Sequence, residues 1–541
     1  MLGKAQISTI HSFCQSVVKN NFHLAEIDPA LKVGEETEML LLKTEAVEEA
    51  LEREYEEGQD YFYELLEMFS AGRDDRNLQD LILTIYDFIR SKPDPYGWLQ
   101  EKTADFGLDS EGFAASLLAA AIAEQSTLQL EGALELLQKA AYLAGKPGGP
   151  DHYLPVLIED QDKIQELIEI LPASLPIFID QLLLLKFSNL KGGKTDCDVK
   201  LREEAKDFRD EAKKVLDNIK NNFSGKSLAE LMDDLNRLHP AMEYLEKMVI
   251  RFSTIYQNLK SEKGLLDFSD LEHLALKVLS HEEMAYEYRQ RFAYVFVDEY
   301  QDSNQVQEAI INLVKNEDNL FLVGDVKQSI YRFRLADPTL FMGKYHAFKD
   351  GEDEIDRRIF LRKNFRSTDN ILAAVNYIFE NIMSQAFGEI DYDSDAALYP
   401  GKDDINITEG MKEVELTLID NQDPAAGEEM PEEIGELNQI QLEAYVAAAR
   451  IKELLKNKIY DEGAGTYRDV IYKDIVILLR TNKNWIDVFT EVFTSEGIPS
   501  YADVNSGYLD AVEISMFINL LKIIDNPRQE RTRQFLSRYS G

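Results

Sequence analysis

Positive charge is scarce in this chain: 58 Lys and Arg stand against 99 Asp and Glu, a net charge of -41 over 541 residues. A field of that sign repels polyanions, so composition alone argues against a nucleic-acid ligand, and any such site must be a local basic stripe. Cysteine is scarcer still. Cys14 and Cys197 lie far apart and share no metal-ligand spacing with the seven histidines. That speaks against a disulfide framework or a zinc site and fits a reducing cytoplasm. Long apolar runs are missing too. The most apolar stretch, LIEILPASLPIFIDQLLLLKF, is broken by Glu169, Pro172, Pro176 and Asp180. Spanning a bilayer needs about eighteen uninterrupted apolar residues, so this stretch reads as buried helices and no membrane association is expected. Lys4, Gln6 and His11 interrupt any apolar core near Met1, and no signal peptide is expected.

What is present is enough for several domains. At about 150 residues per domain, the length suggests three or four, each able to bury a core. Residues 7 to 22 read as a strand end, a polar loop and a helix. From about Leu31 to Leu259, apolar residues recur at three- and four-residue spacing, which predicts a mostly α-helical insertion. KGGKTDCDVK, 191 to 200, reads as an exposed loop within it. Strand and helix then alternate. YVFVD and NLFLVGD read as buried strands with the helix NQVQEAIINLVKN as crossover, which predicts a parallel α/β sheet. Further on, helices are expected over DNILAAVNYIFENIM, from Gln439 to Lys456 and from Trp485 to Glu496. VELTLID and DIVILLR read as strands, and two acidic stretches, 387 to 410 and NQDPAAGEEMPEEIGEL, read as loops.

Three segments carry chemistry. VFVDEYQD places Asp298 and Glu299 at the C-terminal end of a strand, where open α/β sheets bind ligands. An Asp there can hold Mg2+, and an adjacent Glu can orient or deprotonate a water attacking a phosphate. An acidic strand-end turn has the same composition, so the pair alone decides nothing. In GDVKQSIYRFR, Gly324 permits a tight turn and Gln328 is a neutral donor and acceptor suited to sensing a phosphate. Tyr331 and Phe333 are flanked by Arg332 and Arg334. Aromatic faces stack on unpaired bases while guanidinium groups hold the backbone; the same aromatics also suit a strand core. IFLRKNFRS adds Arg366, a fixed cation suited to phosphoryl charge, and Phe365, a flat surface for a purine. Lys327 to Arg366 holds ten Lys or Arg against six Asp or Glu, a local excess of four, and is the candidate basic stripe.

Taken together and in order, these segments resemble the UvrD-like superfamily 1 helicases. SIYRFRLADP is most similar to the AddA family of helicase/nuclease subunits. STIHSFC (Ser8 to Cys14), LLDFSDLEHLAL (Leu265 to Leu276), DEYQDSN, LRKNFRST, DIVILLRTNKNW and EGIPSYAD extend the likeness to about Gln529. The resemblance implies RecA-like motor domains: a remnant of the first over 1–30, the helical insertion over 31–259, the rest of the first over 260–349, and a partial second over 350–541. By the same resemblance Asp298 binds Mg2+, Glu299 activates water, and Gln328 couples ATP to DNA. Phe365 stacks on adenine and Arg366 reaches the γ-phosphate. Tyr331, Phe333 and Arg334 line a single-stranded DNA track that Thr9, His11 and Ser12 also touch. The implied partners are single-stranded and duplex-end DNA and an AddB-type subunit.

Such a motor also needs GxxxxGK[ST] between a strand and a helix, because backbone N–H groups and the Lys wrap the β and γ phosphates. Gly3-Lys4-Ala5 has no Ser or Thr after it, and Gly145-Lys146-Pro147 puts proline where the hydroxyl belongs. Gly225-Lys226-Ser227 has Lys220 at the first glycine position and a helical lead-in. The expectation is therefore a fragment of a helicase/nuclease subunit, lacking the phosphate loop, the late helicase motifs and the nuclease domain, and without ATPase activity of its own. A binding module for single-stranded DNA or a partner, without turnover, is the alternative.

Overall fold

The computed structural model describes residues 5–69, 75–190, 197–351, 355–388, 390–401, 414–419, 439–461, 463–481 and 485–502, with scattered helical positions between 514 and 524. The chain divides into two compact units, Met1–Ile359 and Phe360–Gly541.

In the first unit α1 (Ile10–Asn20) and β1 (Lys32–Val33) are followed by α2 (Glu36–Glu57), α3 (Asp60–Phe69), α4 (Arg76–Ile89) and α5 (Pro95–Ala104). Next come α6 (Leu117–Ala144), α7 (Leu154–Ile170), α8 (Leu175–Leu184), α9 (Val199–Asn222) and the 36-residue α10 (Leu228–Lys263). Ser227 starts α10 with a capping box, its hydroxyl accepting from the Glu230 N–H while the Glu230 carboxylate accepts from the Ser227 N–H. Gly264, at φ +69°, ends it in the left-handed conformation that a residue without Cβ adopts cheaply.

At about 1.5 Å per residue α10 is roughly 54 Å long, and it joins three cores. Met232 belongs to a helical core built with α6 to α9. Ala241, Leu245, Met248, Val249, Phe252 and Tyr256, spaced by threes and fours, face a second core made with α2 to α5. Lys260 reaches the third region, formed by α1, β2 (Leu265–Leu266), α11 (Phe268–Leu279), α12 (Glu282–Arg291) and α13 (Gln305–Val314).

That last joint is ionic. Lys260 is fully buried, its Nζ 2.9 Å from Asp267 Oδ2 and also bonded to Asp270, while it lies 4.2 Å from the Tyr256 ring centroid. Arg90, from the end of α4, donates to Ser269 Oγ at 2.8 Å and Asp270 Oδ1 at 3.2 Å. A buried carboxylate is tolerated only when paired, and here two cations from the helical region neutralise two carboxylates of α11 and its cap.

β3 (Val295–Val297) and β4 (Leu320–Leu322) pair in parallel, with α13 as the crossover. The expected strand, helix, strand order is present, but the strands are not buried. Successive residues alternate between faces, and Tyr294, Phe296 and Phe321 are 72%, 71% and 47% exposed. Their rings form an aromatic ladder with centroids 6.2 and 5.7 Å apart. Beyond the strand ends lies α14 (Pro338–Ala347).

The second unit holds the parallel pair β5 (Lys363–Asn364) and β6 (Tyr399–Pro400), and α15 (Asp369–Ile382). An α-helical pair, α16 (Gln439–Leu454) and α17 (Trp485–Ser495), shares a core of Ala444, Ala448, Phe489 and Val492, and β7 (Lys458–Asp461) and β8 (Thr466–Asp469) form a hairpin. The helices fall where the apolar spacing put them. Residues 414–419 and 475–479, read as strands, have no ladder partner, and Leu416, Leu418 and Leu478 are largely exposed. The expected loop NQDPAAGEEMPEEIGEL lies outside the described residues, as do 191–196 of the loop KGGKTDCDVK. The fold is thus mostly helical with small parallel sheets, and among the described residues no helix is long and apolar enough to cross a membrane.

Candidate nucleotide and nucleic-acid site

Both chemically loaded loops leave the C-terminal ends of β3 and β4. Asp298 and Glu299 are exposed there, and Asp298 Oδ1 accepts the Glu299 N–H at 3.0 Å. Glu299 has φ +50°, a left-handed conformation that is costly for a residue with a Cβ and persists only when its surroundings over-determine it. Its N–H bond to Asp298 and its carbonyl, which accepts the Asp302 N–H at 2.9 Å, hold the backbone, and its side chain is held by Gln301, which is 1% exposed. Its Nε2 donates to Glu299 Oε2 at 2.8 Å and its Oε1 accepts the Asp325 N–H at 3.0 Å. Asp325 in turn accepts from Gln328 Nε2 at 3.1 Å and pairs with Lys327 at 2.8 Å. One run of hydrogen bonds therefore joins Glu299 to Gln328, and Gln301 is a member that the motif pattern did not mark.

Gly324 serves this link differently from expectation. Its backbone is not left-handed. A Cβ at 324 would instead lie 2.5 Å from Gln301 Oε1 and 2.9 Å from Phe341, so glycine is needed for close approach. Asp302 completes the acidic loop, and its Oδ1 is buried without a hydrogen-bond partner. Burial, then the Glu299 charge, raises the Asp302 carboxyl above its usual range.

Beyond Gln328 the chain turns through Tyr331 to Arg334, three of whose residues make one aromatic and cationic surface. The Tyr331 and Phe333 rings are 5.8 Å apart, and the Arg334 guanidinium lies 5.0 and 5.7 Å from them. Phe333 is 75% exposed, so it is a platform and not a core residue.

At the start of α1, Thr9 Oγ1 caps the Ser12 N–H at 3.3 Å and donates to Ser12 Oγ at 2.9 Å. His11 turns inward: its Nε2 is 3.2 Å from Glu272 Oε1, and its ring lies 4.8 Å from Phe268. Glu272, another residue that the sequence does not single out, is buried and also accepts from Gln307 Nε2 at 2.7 Å and Asn304 Nδ2 at 3.3 Å. Burial pushes its carboxyl up, but the His11, Gln307 and Asn304 hydrogen bonds outweigh that and hold it below its usual range.

Phe365 and Arg366 belong to the second unit. Asn364 Oδ1 accepts both the Arg366 and Ser367 N–H groups at 2.9 Å, fixing the turn that carries Arg366. Phe365 is 58% exposed and its ring lies over Gly401, where a Cβ would come within 2.7 Å.

Two exposed carboxylates at one strand end suit Mg2+, which takes one or two carboxylates and completes its shell with water and phosphate oxygens. Among the described residues there is no cluster of three or more metal-ligating groups. The phosphate cradle is a different matter, because GxxxxGK[ST] occurs nowhere in the 541 residues. Gly225 and Ser227 sit between two helices, α9 and α10, with the Ser227 hydroxyl spent on the cap. A further triplet, Gly193-Lys194-Thr195, is no better placed. It has Ser188 at the first glycine position, follows helix α8 instead of a strand, and lies outside the described residues.

The chain matches the UvrD/REP helicase N-terminal domain over residues 1–349 and the UvrD-like helicase C-terminal domain over residues 359–538. It is similar to the AddA subunit of the ATP-dependent helicase/nuclease from Alkaliphilus oremlandii, 49% identical over 530 residues, which cover 98% of this chain and 44% of that protein. The protein of the same name from Alkaliphilus metalliredigens is 47% identical with the same coverage. That from Clostridium novyi is 41% identical over 552 residues, 98% of this chain and 44% of its own. The chain thus spans less than half the length of these curated relatives.

Proposed function

The chain belongs to the UvrD/REP helicase family, and on that footing we propose that it is the metal, sensor and DNA-stacking portion of an ATP-dependent helicase/nuclease subunit. Such a subunit moves along single-stranded DNA and opens duplex ends in break repair and recombination, in the cytoplasm, beside an AddB-type partner. The observation that carries this reading is the hydrogen-bonded run from Glu299 through Gln301 and Asp325 to Gln328.

In this reading the β3–β4 region and the second unit are parts of RecA-like motor domains. Asp298 would hold Mg2+, and MgATP, when bound, would supply a charge-neutralised phosphoryl group for in-line attack. Glu299 orients a water and accepts its proton, with Gln301 fixing the carboxylate. Gln328 registers the phosphate. Phe365 stacks on adenine, and Arg366 offsets charge on the phosphoryl oxygens. Tyr331 and Phe333 stack on bases, Arg334 holds the strand, and Thr9, His11 and Ser12 flank it.

Fluorescence anisotropy with a labelled oligo-dT tests the DNA half. Phe333→Ala should weaken binding by about 1 to 3 kcal/mol, and added salt should weaken it further. Indifference to both would discard the track.

A second reading, binding without turnover, is favoured for these 541 residues by the absent GxxxxGK[ST]. Loss of the Lys and amide cradle removes several kcal/mol of transition-state stabilisation, on the order of a thousandfold in rate. DNA-stimulated ATP hydrolysis that disappears in Asp298→Ala would overturn this second reading.

A further inference from the structure

We infer that the segment Ser303 to Gln307 transmits the state of the DNA-contacting segments to the Asp298–Asp302 carboxylate loop, with Glu272 and Gln305 as its positioning residues. The inference rests on the DNA-binding reading above.

Both candidate DNA segments are tied to these five residues. On one side, Ser303 O accepts the Asp337 N–H at 2.9 Å and Gln305 Nε2 donates to Asp337 Oδ2 at 2.8 Å. Asp337 lies three residues beyond Arg334 and caps α14 by accepting the Thr339 N–H at 3.1 Å. A displacement of the Tyr331–Arg334 platform therefore pulls on Ser303 and Gln305. On the other side, Asn304 and Gln307 donate to Glu272, which also accepts from His11 in the Thr9–Ser12 segment. Glu272 is 4% exposed, so it cannot trade a lost donor for water. A shift of His11 must be followed by Glu272 and its other two donors, or leave a buried carboxylate under-bonded.

The output side is as short. The carboxylate loop is a single 3-10 turn, closed by Asp302 N–H to Glu299 O at 2.9 Å and Ser303 N–H to Tyr300 O at 3.1 Å. Ser303 is its last link and Glu299 its first, and Glu299 holds the strained left-handed backbone. Strain of that kind relaxes when its surroundings loosen. Asn304 fixes the other end of the junction, its Oδ1 capping α13 through the Gln307 N–H at 2.8 Å.

Hydrogen exchange of the 541-residue chain, with and without oligo-dT, tests this, because local opening of the loop is what exchange reads. Anisotropy under the same conditions establishes that the oligonucleotide binds. The wild-type chain should bind and slow exchange over 298–302. Gln305→Ala, which removes one hydrogen bond at the start of α13, should bind with unchanged affinity and lose more than half of that protection. Glu272→Gln keeps the side-chain shape but replaces one acceptor oxygen with a donor, and at oligo-dT concentrations that saturate its binding it should lose the same protection. If Gln305→Ala fails to fold, Glu272→Gln decides alone. Binding without slower exchange over 298–302, or wild-type protection in every folded variant, overturns the inference and leaves the DNA-binding reading standing. Absence of oligonucleotide binding overturns both.

Discussion

Gln301 Nε2 stands 2.8 Å from Glu299 Oε2, and the same buried amide accepts the Asp325 N–H through Oε1. A carboxamide suits this place because it donates at one end and accepts at the other. A carboxylate would oppose Glu299, and an alkyl side chain would satisfy neither partner.

Gln301→Ala is expected to destabilise the first unit by about 1 to 3 kcal/mol, because a buried side chain is removed and the part-buried Asp325 N–H loses its acceptor. Gly324→Ala should cost a similar amount by overpacking, about 1 to 3 kcal/mol, because its Cβ meets Gln301 Oε1. In the double variant the contact with Gln301 is relieved while the one with Phe341 stays, so the two costs should fall short of additivity when urea midpoints are compared. Strict additivity would show that Gly324 is not there to admit Gln301.

Lys260→Met should be among the most damaging single changes outside the loops. It leaves Asp267 and Asp270 with Arg90 as the remaining cation of the cluster, and breaking a buried pair from one side costs about 3 to 5 kcal/mol. Acidification that protonates the carboxylates should shrink the penalty. An unchanged urea midpoint for the variant at neutral pH would contradict the assignment.

His273 predicts an acid limit. Its Nε2–H donates to the Arg90 carbonyl at 3.0 Å, and burial, then the nearby Arg90 charge, lowers its pKa to about 4. The unfolded imidazole titrates near 6.5, so between these values the unfolded chain binds the extra proton. Stability from this group is complete above about pH 6.5 and is lost as pH falls toward 4, a total of about 3 kcal/mol. His273→Gln should flatten that part of a denaturation-versus-pH curve.

Much of this was legible in the sequence. Helices from 31 to 259 followed from apolar spacing, and the ordered DEYQD, GDVKQSIYRFR and LRKNFRS segments marked the loops. Their internal wiring was not. Nothing in the pattern says that Gln301, set between Tyr300 and Asp302, turns inward, or that Glu272 on α11 collects donors from α1 and α13. Those contacts depend on which segments the fold brings together. YVFVD is exposed against expectation for a related reason: an apolar run gives strand propensity, whereas burial needs layers on both faces.

The Tyr294, Phe296 and Phe321 ladder also bears on how copies of the chain behave toward one another. An open aromatic face beside a short sheet invites self-association, and at neutral pH a net charge of -41 keeps copies apart. Near the sequence pI of about 4.6 that repulsion vanishes. Light scattering should then rise in a folded sample, and Phe296→Lys, which adds charge to the ladder itself, should delay it.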